Sequence, residues 1–139
     1  MSDPSSPAQT GLRRIRTGAT SYSDMVTASG QGRWVHIAGQ LAFDSERNIV
    51  GEDVASQANR CFDRIESLLR EAGGDLSNVV AITTYLTDLA HYPEFDRVRS
   101  ERFTDNPPAS AAVMVAGLLF GAMIEVSAVG FIPLQDGDQ

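Results

Sequence analysis

The 139-residue chain contains no lysine; all eleven of its basic residues are arginine. That excludes Schiff-base chemistry on a lysine and any P-loop NTPase, whose phosphate loop requires one. The single cysteine, Cys61, cannot close an internal disulfide, and the two histidines, His36 and His91, stand far apart without zinc-type spacing. No apolar run reaches the length of a membrane span, and MSDPSSPAQT at residues 1–10 lacks the apolar centre of a signal peptide. The expectation is a cytoplasmic protein that uses no metal and no cofactor. A net charge of −7 opposes a phosphate backbone. The one dense basic cluster, Arg13, Arg14 and Arg16, reads as a solvated edge strand, so neither nucleic acid nor membrane is expected as a partner.

What is present fits one domain, with 42% hydrophobic and 21% charged residues. Residues 1–10 and 133–139 read as disordered tails around a domain at 11–132. Strands are expected at 11–17, 22–28 and 34–38, and the turn chemistry of SGQGR makes a hairpin of the second and third. Between 51 and 74 the period turns helical. Val54, Ala58, Cys61, Ile65, Leu68 and Ala72 form the apolar stripe, Asp53 is the N-cap, and Gly73-Gly74 is the stop. Cys61 falls on that stripe and reads as a small core residue. The β-branched run at 79–86 is an inner strand. Pro93 suits the first turn of a second helix, which turns Phe95, Val98 and Phe103 inward and sets Arg97, Arg99, Glu101 and Arg102 mostly on the wetter side.

The last stretch, NPPASAAVMVAGLLFGAMIEVSAVGF at 106–131, reads as two long strands, 109–118 and 122–131, joined at 119–121. The first shows no polar alternation. It should be covered on both faces, most simply by helices and by another subunit. In the second, Ile124, Val126 and Ala128 face one way while Glu125 and Ser127 face the other. A carboxylate held in an apolar strand is one that a fold can tune for acid–base work near neutral pH. The bland alternative places Glu125 on a wet sheet face or in an ion pair with an arginine. The order β-β-β-α-β-α-β-β predicts an α+β domain with two helices on one face of a mixed sheet.

Several segments, taken in order, resemble the Rid family, the reactive-intermediate deaminases also called YjgF-like or L-PSP proteins, over residues 12–131. They are Tyr22-Ser23, WVHIAGQ, Gln57 in the first helix, the Ala72-Gly73 break, VVAITTYLTDL, and PPAS followed by IEVSAVG. The resemblance implies a chorismate-mutase-like α+β fold: a mixed six-stranded sheet with two helices on one face, assembled as a homotrimer with three interfacial clefts that take a small molecule. It further implies hydrolysis of enamines and imines to a 2-oxo acid and ammonia.

By motif position, Glu125 matches the family's water-handling glutamate and Tyr22 its cleft tyrosine, the two catalytic candidates. Gly39 and Gln40 match its Gly-Gln. Ala109 and Ser110 lie in its Pro-Ala-Arg motif, with Ser110 where the carboxylate-binding arginine stands. Asp96 replaces the usual asparagine and Ser127 a second acid. A hydroxyl does not replace a guanidinium, whose charge-assisted bond is worth about 1.5–3 kcal/mol. Weak or no activity on 2-imino acids is therefore expected unless another arginine, such as Arg13, Arg14 or Arg60 of a neighbouring subunit, reaches the cleft. The leading expectation is a divergent Rid-type deaminase acting on a small reactive metabolite. The alternative is a non-catalytic trimer that binds a metabolite or regulatory partner in the same clefts. RNA cleavage ranks third, opposed by the charge and by the lack of paired histidines.

Overall fold

Asp53 begins the first long helix by accepting a hydrogen bond from the Ser56 N–H at 2.8 Å, and Gly73, at φ +91°, ends it. The computed structural model describes residues 11–134, so the tail expected at 1–10 and residues 135–139 of the one expected at 133–139 lie outside the described residues. In chain order the elements are β1 (Gly11–Ile15), β2 (Met25–Ser29), β3 (Gly32–Gln40), α1 (Val54–Glu71), β4 (Val79–Leu86), α2 (Tyr92–Arg102), β5 (Ala109–Met114) and β6 (Ile124–Pro133). Pro133 thus belongs to a strand and not to a tail, and Leu134 donates its N–H to the Gln31 carbonyl at 2.8 Å.

α1 buries Val54, Gln57, Ala58, Cys61, Phe62, Ile65 and Leu69. The expected stripe ran through Leu68 to Ala72, yet Leu68 is 43% exposed and Leu69 fully buried. Gly130 of β6 explains the choice, since a Cβ there would lie 3.2 Å from Leu69 Cδ2. The missing side chain leaves room for the leucine. α2 carries Pro93 in its first turn, and Phe95 and Phe103 both pack on Phe62, at ring-centroid distances of 6.3 and 5.3 Å. Cys61 is core as expected, and burial pushes its thiol up to about 12.

Four strands form one sheet in the order β3-β6-β4-β5, and β1 pairs with β2 in a separate two-stranded sheet. Three expectations are corrected here. The six strands divide four and two among the described residues. β2 forms its hairpin with β1, because Asp24 folds residues 16–24 back by accepting from Thr17 N and Oγ, and Gly30, at φ +87°, sends β3 away to β6. β5 and β6 are not neighbours. The α2 crossover lays β5 parallel to β4, and β6 inserts antiparallel between β3 and β4.

β6 alternates as the sequence requires. Ile124, Val126 and Ala128 are buried against the helices, and Glu125 and Ser127 are half-buried on the opposite face. β5 stops at Met114 and is an outer strand, with Val113 and Met114 44% and 58% exposed, so one chain does not cover both its faces. Among the described residues no helix is long and apolar enough to cross a membrane.

The packing predicts contrasting costs for two adjacent leucines. Leu69→Ala should lose about 2–5 kcal/mol and Leu68→Ala under about 1 kcal/mol in equilibrium urea unfolding; the reverse ranking would mean that α1 is rotated.

Candidate functional site

Pro107 and Pro108 deliver β5 to its site. Ser23 clamps the first carbonyl with its hydroxyl (2.5 Å) and the second with its N–H (2.8 Å), while Arg14 Nη1 also donates to Pro107 O at 3.1 Å. This grip brings Tyr22 alongside Ala109 and Ser110. The three line an open cleft of about 390 Å³ with Ser23, Asp24, Ala81, Ile82, Thr83 and Ala111.

Behind the cleft lies Arg99, 1% exposed. Its Nε donates to Ser21 Oγ (2.8 Å), its Nη1 to Ser110 Oγ (2.8 Å), and its Nη2 to Tyr92 Oη (2.7 Å) and Asp96 Oδ1 (2.9 Å). Ser21 closes a ring by donating to Asp96 Oδ1 at 2.5 Å. The guanidinium also lies against Tyr22, Tyr92 and Phe95, 4.9 to 5.5 Å from their ring centroids. This corrects the wetter-side expectation for Arg99. It stands four residues after Phe95, on the same face of α2, so the helical period carried a signal that the charge obscured. A buried cation needs bonded acceptors, and the network supplies them.

The network also marks Asp96. The Ser21 hydroxyl bond, and after it Arg99, hold its carboxyl below the ordinary aspartate range, against an opposing effect of burial. Ser110, half-buried, has its hydroxyl oxygen committed to Arg99 as acceptor, so its own proton is free to point elsewhere.

Glu125 belongs to a different group. A bulge between Ile37 and Gln40 places Gly39 beneath its carboxylate, and a Cβ on Gly39 would lie 2.7 Å from Glu125 Cδ and closer still to Oε2. The bare Cα is what accommodates the acid. Gln40 Nε2 donates to the Ala38 carbonyl at 2.9 Å and its Oε1 accepts from Arg64 Nε at 3.1 Å. Tyr85 of β4 is directly opposite Glu125, a neighbour on the same sheet face that the sequence did not single out. Within one chain, then, Tyr22, Ala109 and Ser110 gather in one place and Glu125, Gly39 and Gln40 in another; the cleft's lining does not include the acid.

The arginines considered for the Ser110 position are placed as follows. Arg14 is tied to the carbonyls of Ser77, Val79 and Pro107, Arg60 donates to Phe43 O at 2.7 Å, and Arg13 is exposed on β1. Among the described residues no three His, Cys, Asp or Glu side chains group as a metal site.

Two predictions test the Arg99 network. Ser110→Arg should destabilise by setting a second guanidinium against Arg99, and adding Arg99→Met should recover the loss, since Ser21, Tyr92 and Asp96 remain as acceptors. A urea double-mutant cycle should return a coupling above about 1 kcal/mol, and plain additivity would count against shared acceptors. Because Asp96 is held low, its stabilising contribution is present above the unfolded value of about 3.9 and is lost as pH falls through the folded value. The stability gap between parent and Asp96→Asn should therefore be open at pH 7 and close below about pH 4.

The family described as Endoribonuclease L-PSP matches residues 14–132. A RutC family protein of Pyrococcus abyssi is 37% identical over 101 residues, covering 72% of this chain and 80% of that protein. The 2-iminobutanoate/2-iminopropanoate deaminase of Homo sapiens is 35% identical over 98 residues, covering 70% and 72%. The crystal structure of the Rid family protein YyfB of Yersinia pestis superposes with a TM-score of 0.78 at 26% identity, over 88% of this chain and all of that one. The chain belongs to the Rid family, the YjgF-like or L-PSP proteins.

Proposed function

We propose that the protein is a Rid-type hydrolase of a small enamine or imine, with Glu125 handling the water. The observation that carries this reading is the Glu125 carboxylate seated over the bare Cα of Gly39, beside Gln40. An enamine first takes a proton on carbon and releases one from nitrogen, becoming the imine. Protonation at nitrogen makes the C=N carbon electrophilic, and water attacks it as Glu125 takes a proton. The C–O bond forms, Glu125 passes that proton to nitrogen, and as the C–N bond breaks the hydroxyl proton goes to Glu125, so that ammonia leaves and the carbonyl product stays behind. A positioned acid–base group contributes about 10²–10⁴-fold to such a step.

The working site is a homotrimer cleft in this reading, with the Tyr22, Ala109 and Ser110 group of one subunit facing the Glu125, Gly39 and Gln40 group of the next. Two features support it. The two groups are separate within a chain, and Val113, Met114, Leu119 and Phe120 leave an apolar surface 44–67% exposed. One feature favours the non-catalytic alternative: among the described residues no cation lines the cleft at Ser110, and Arg99 behind it is already paired with Asp96.

The experiment is ammonia release from 2-iminobutanoate generated in situ, measured above the spontaneous rate. Glu125→Gln should lower kcat by about 10²-fold or more. Gly39→Ala, which displaces the carboxylate and keeps its charge, should lose a comparable amount with little change in unfolding midpoint. Equal rates for the parent and both variants would leave the binding protein as the better reading. Light scattering at micromolar concentration should give three times the chain mass of 15.0 kDa, and a monomer would remove the shared cleft.

A further inference from the structure

The cleft beside Ser110 has the wrong charge for a carboxylate ligand. Its lining carries hydroxyls at Tyr22, Ser23, Thr83 and Ser110, one carboxylate at Asp24, the methyl groups of Ala81, Ala109 and Ala111, and, among the described residues, no arginine or histidine. Arg99 behind it is buried and paired with Asp96, and Arg14 is bonded to the carbonyls of Ser77, Val79 and Pro107. Asp24 Oδ2 accepts from the Thr17 hydroxyl at 2.6 Å and the Thr17 N–H at 2.7 Å. Those bonds, the hydroxyl's first, hold its carboxyl below the ordinary aspartate range, so it is ionised at neutral pH. Among the described residues Asp24 Oδ1 has no bond and the carboxylate no ion pair.

The register of the sheet adds a second acid. Ile82, Thr84 and Leu86 of β4 are buried on the helix side, so Ala81, Thr83 and Tyr85 alternate onto the face that no helix covers. On that face Thr83 is opposite Ser127 and Tyr85 opposite Glu125. Ala81 and Thr83 line the cleft, and Glu125 stands one side-chain step beyond them, about 7 Å along the strands. Glu125 of the same chain or of the next subunit therefore brings another negative charge to the cleft. The one basic side chain that β3–β6 present on this face, His36, is two strands from Ala81, across Val129. In a chain of net charge −7, such a lining repels an anion and attracts a cation.

We propose that the substrate of this cleft has no carboxylate: the cleft takes the protonated imine of a primary amine, with Asp24 and Glu125 facing the cation and Ala81, Ala109 and Ala111 receiving its apolar tail. The chemistry rests on the hydrolase reading, whereas the charge preference rests on the lining alone. Water forms the C–O bond as the C=N electron pair moves to nitrogen, Glu125 carries the protons as above, and C–N cleavage leaves an aldehyde and ammonium. The cleft volume of about 390 Å³ suits a ligand larger than a four-carbon acid.

The probes are three isosteres of opposite or no charge: 2-phenylethylamine, 3-phenylpropanoate and 2-phenylethanol, compared by calorimetry or ligand-observed NMR. The amine should bind about tenfold or more tighter than the acid, with the alcohol between them. Asp24→Asn, which keeps an acceptor for Thr17, should weaken the amine about threefold to fivefold and leave the alcohol unchanged. Ala111→Arg, which sets a guanidinium on the cleft floor, should reverse the order of amine and acid. Glu101→Gln, on an exposed pair with Arg97, should change nothing. Ammonia release should be accelerated more for the imine made in situ from 2-phenylethylamine by a flavin amine oxidase and oxygen than for 2-iminobutanoate.

An acid that binds as tightly as the amine, no amine binding by the parent, or amine affinity indifferent to Asp24→Asn overturns the proposal. Should Asp24→Asn fail to fold, Ala111→Arg decides, and an unchanged order of amine and acid overturns it. Amine binding in the stated order with neither imine accelerated keeps the charge preference and removes the hydrolase reading. Faster hydrolysis of 2-iminobutanoate than of the amine-derived imine does the reverse.

Discussion

Burying the Arg99 guanidinium imposes a demand that three separate parts of the chain must meet. A desolvated cation is tolerated only where its N–H groups find acceptors and its charge finds an opposite one. Ser21 comes from the segment before β2, Tyr92 and Asp96 from α2, and Ser110 from β5. The N-terminal segment, an outer helix and an outer strand are therefore fixed to one another by a single side chain. The position of Tyr22 beside Ser110 follows from this, because Ser21 is bonded on one side of it and Ser23 on the other.

The other half of the candidate site depends on an absence of atoms. Glu125 lies where any residue but glycine at position 39 would displace it, and the bulge in β3 is what brings that glycine under the strand. One cluster is thus held by a saturated hydrogen-bond network and the other by steric room. The first tolerates no loss of an acceptor, and the second no gain of a methyl group.

Much of this was legible in the sequence where a periodic signal and a burial demand agreed. The alternation of β6, the inner strand β4, the cap at Asp53 and the core role of Cys61 all have local causes. Pairing did not, because which strands become neighbours depends on crossovers and closures many residues away. SGQGR has hairpin chemistry, yet Gly30 uses it to part β2 from β3. At the site, Glu125 and Gly39 were visible as motif positions, but nothing in the spacing tells that one lies on the other. Arg99 was missed because a charged side chain in a helix with polar neighbours looks solvated. Only the acceptors at Ser21, Tyr92, Asp96 and Ser110 make its burial possible, and two of those four lie outside its helix.

The placement of β6 has a consequence for the order in which the chain can assemble. It is the last strand described and yet an interior one, hydrogen-bonded to β3 on one side and β4 on the other. While the chain emerges during synthesis, β3 and β4 have no strand between them, and the face of α1 that packs on β6 has nothing to cover it. Contacts this distant in sequence close slowly, and until they do the unpaired edges and apolar residues stand open to other chains. The final residues of the domain therefore decide when it becomes a folded object at all.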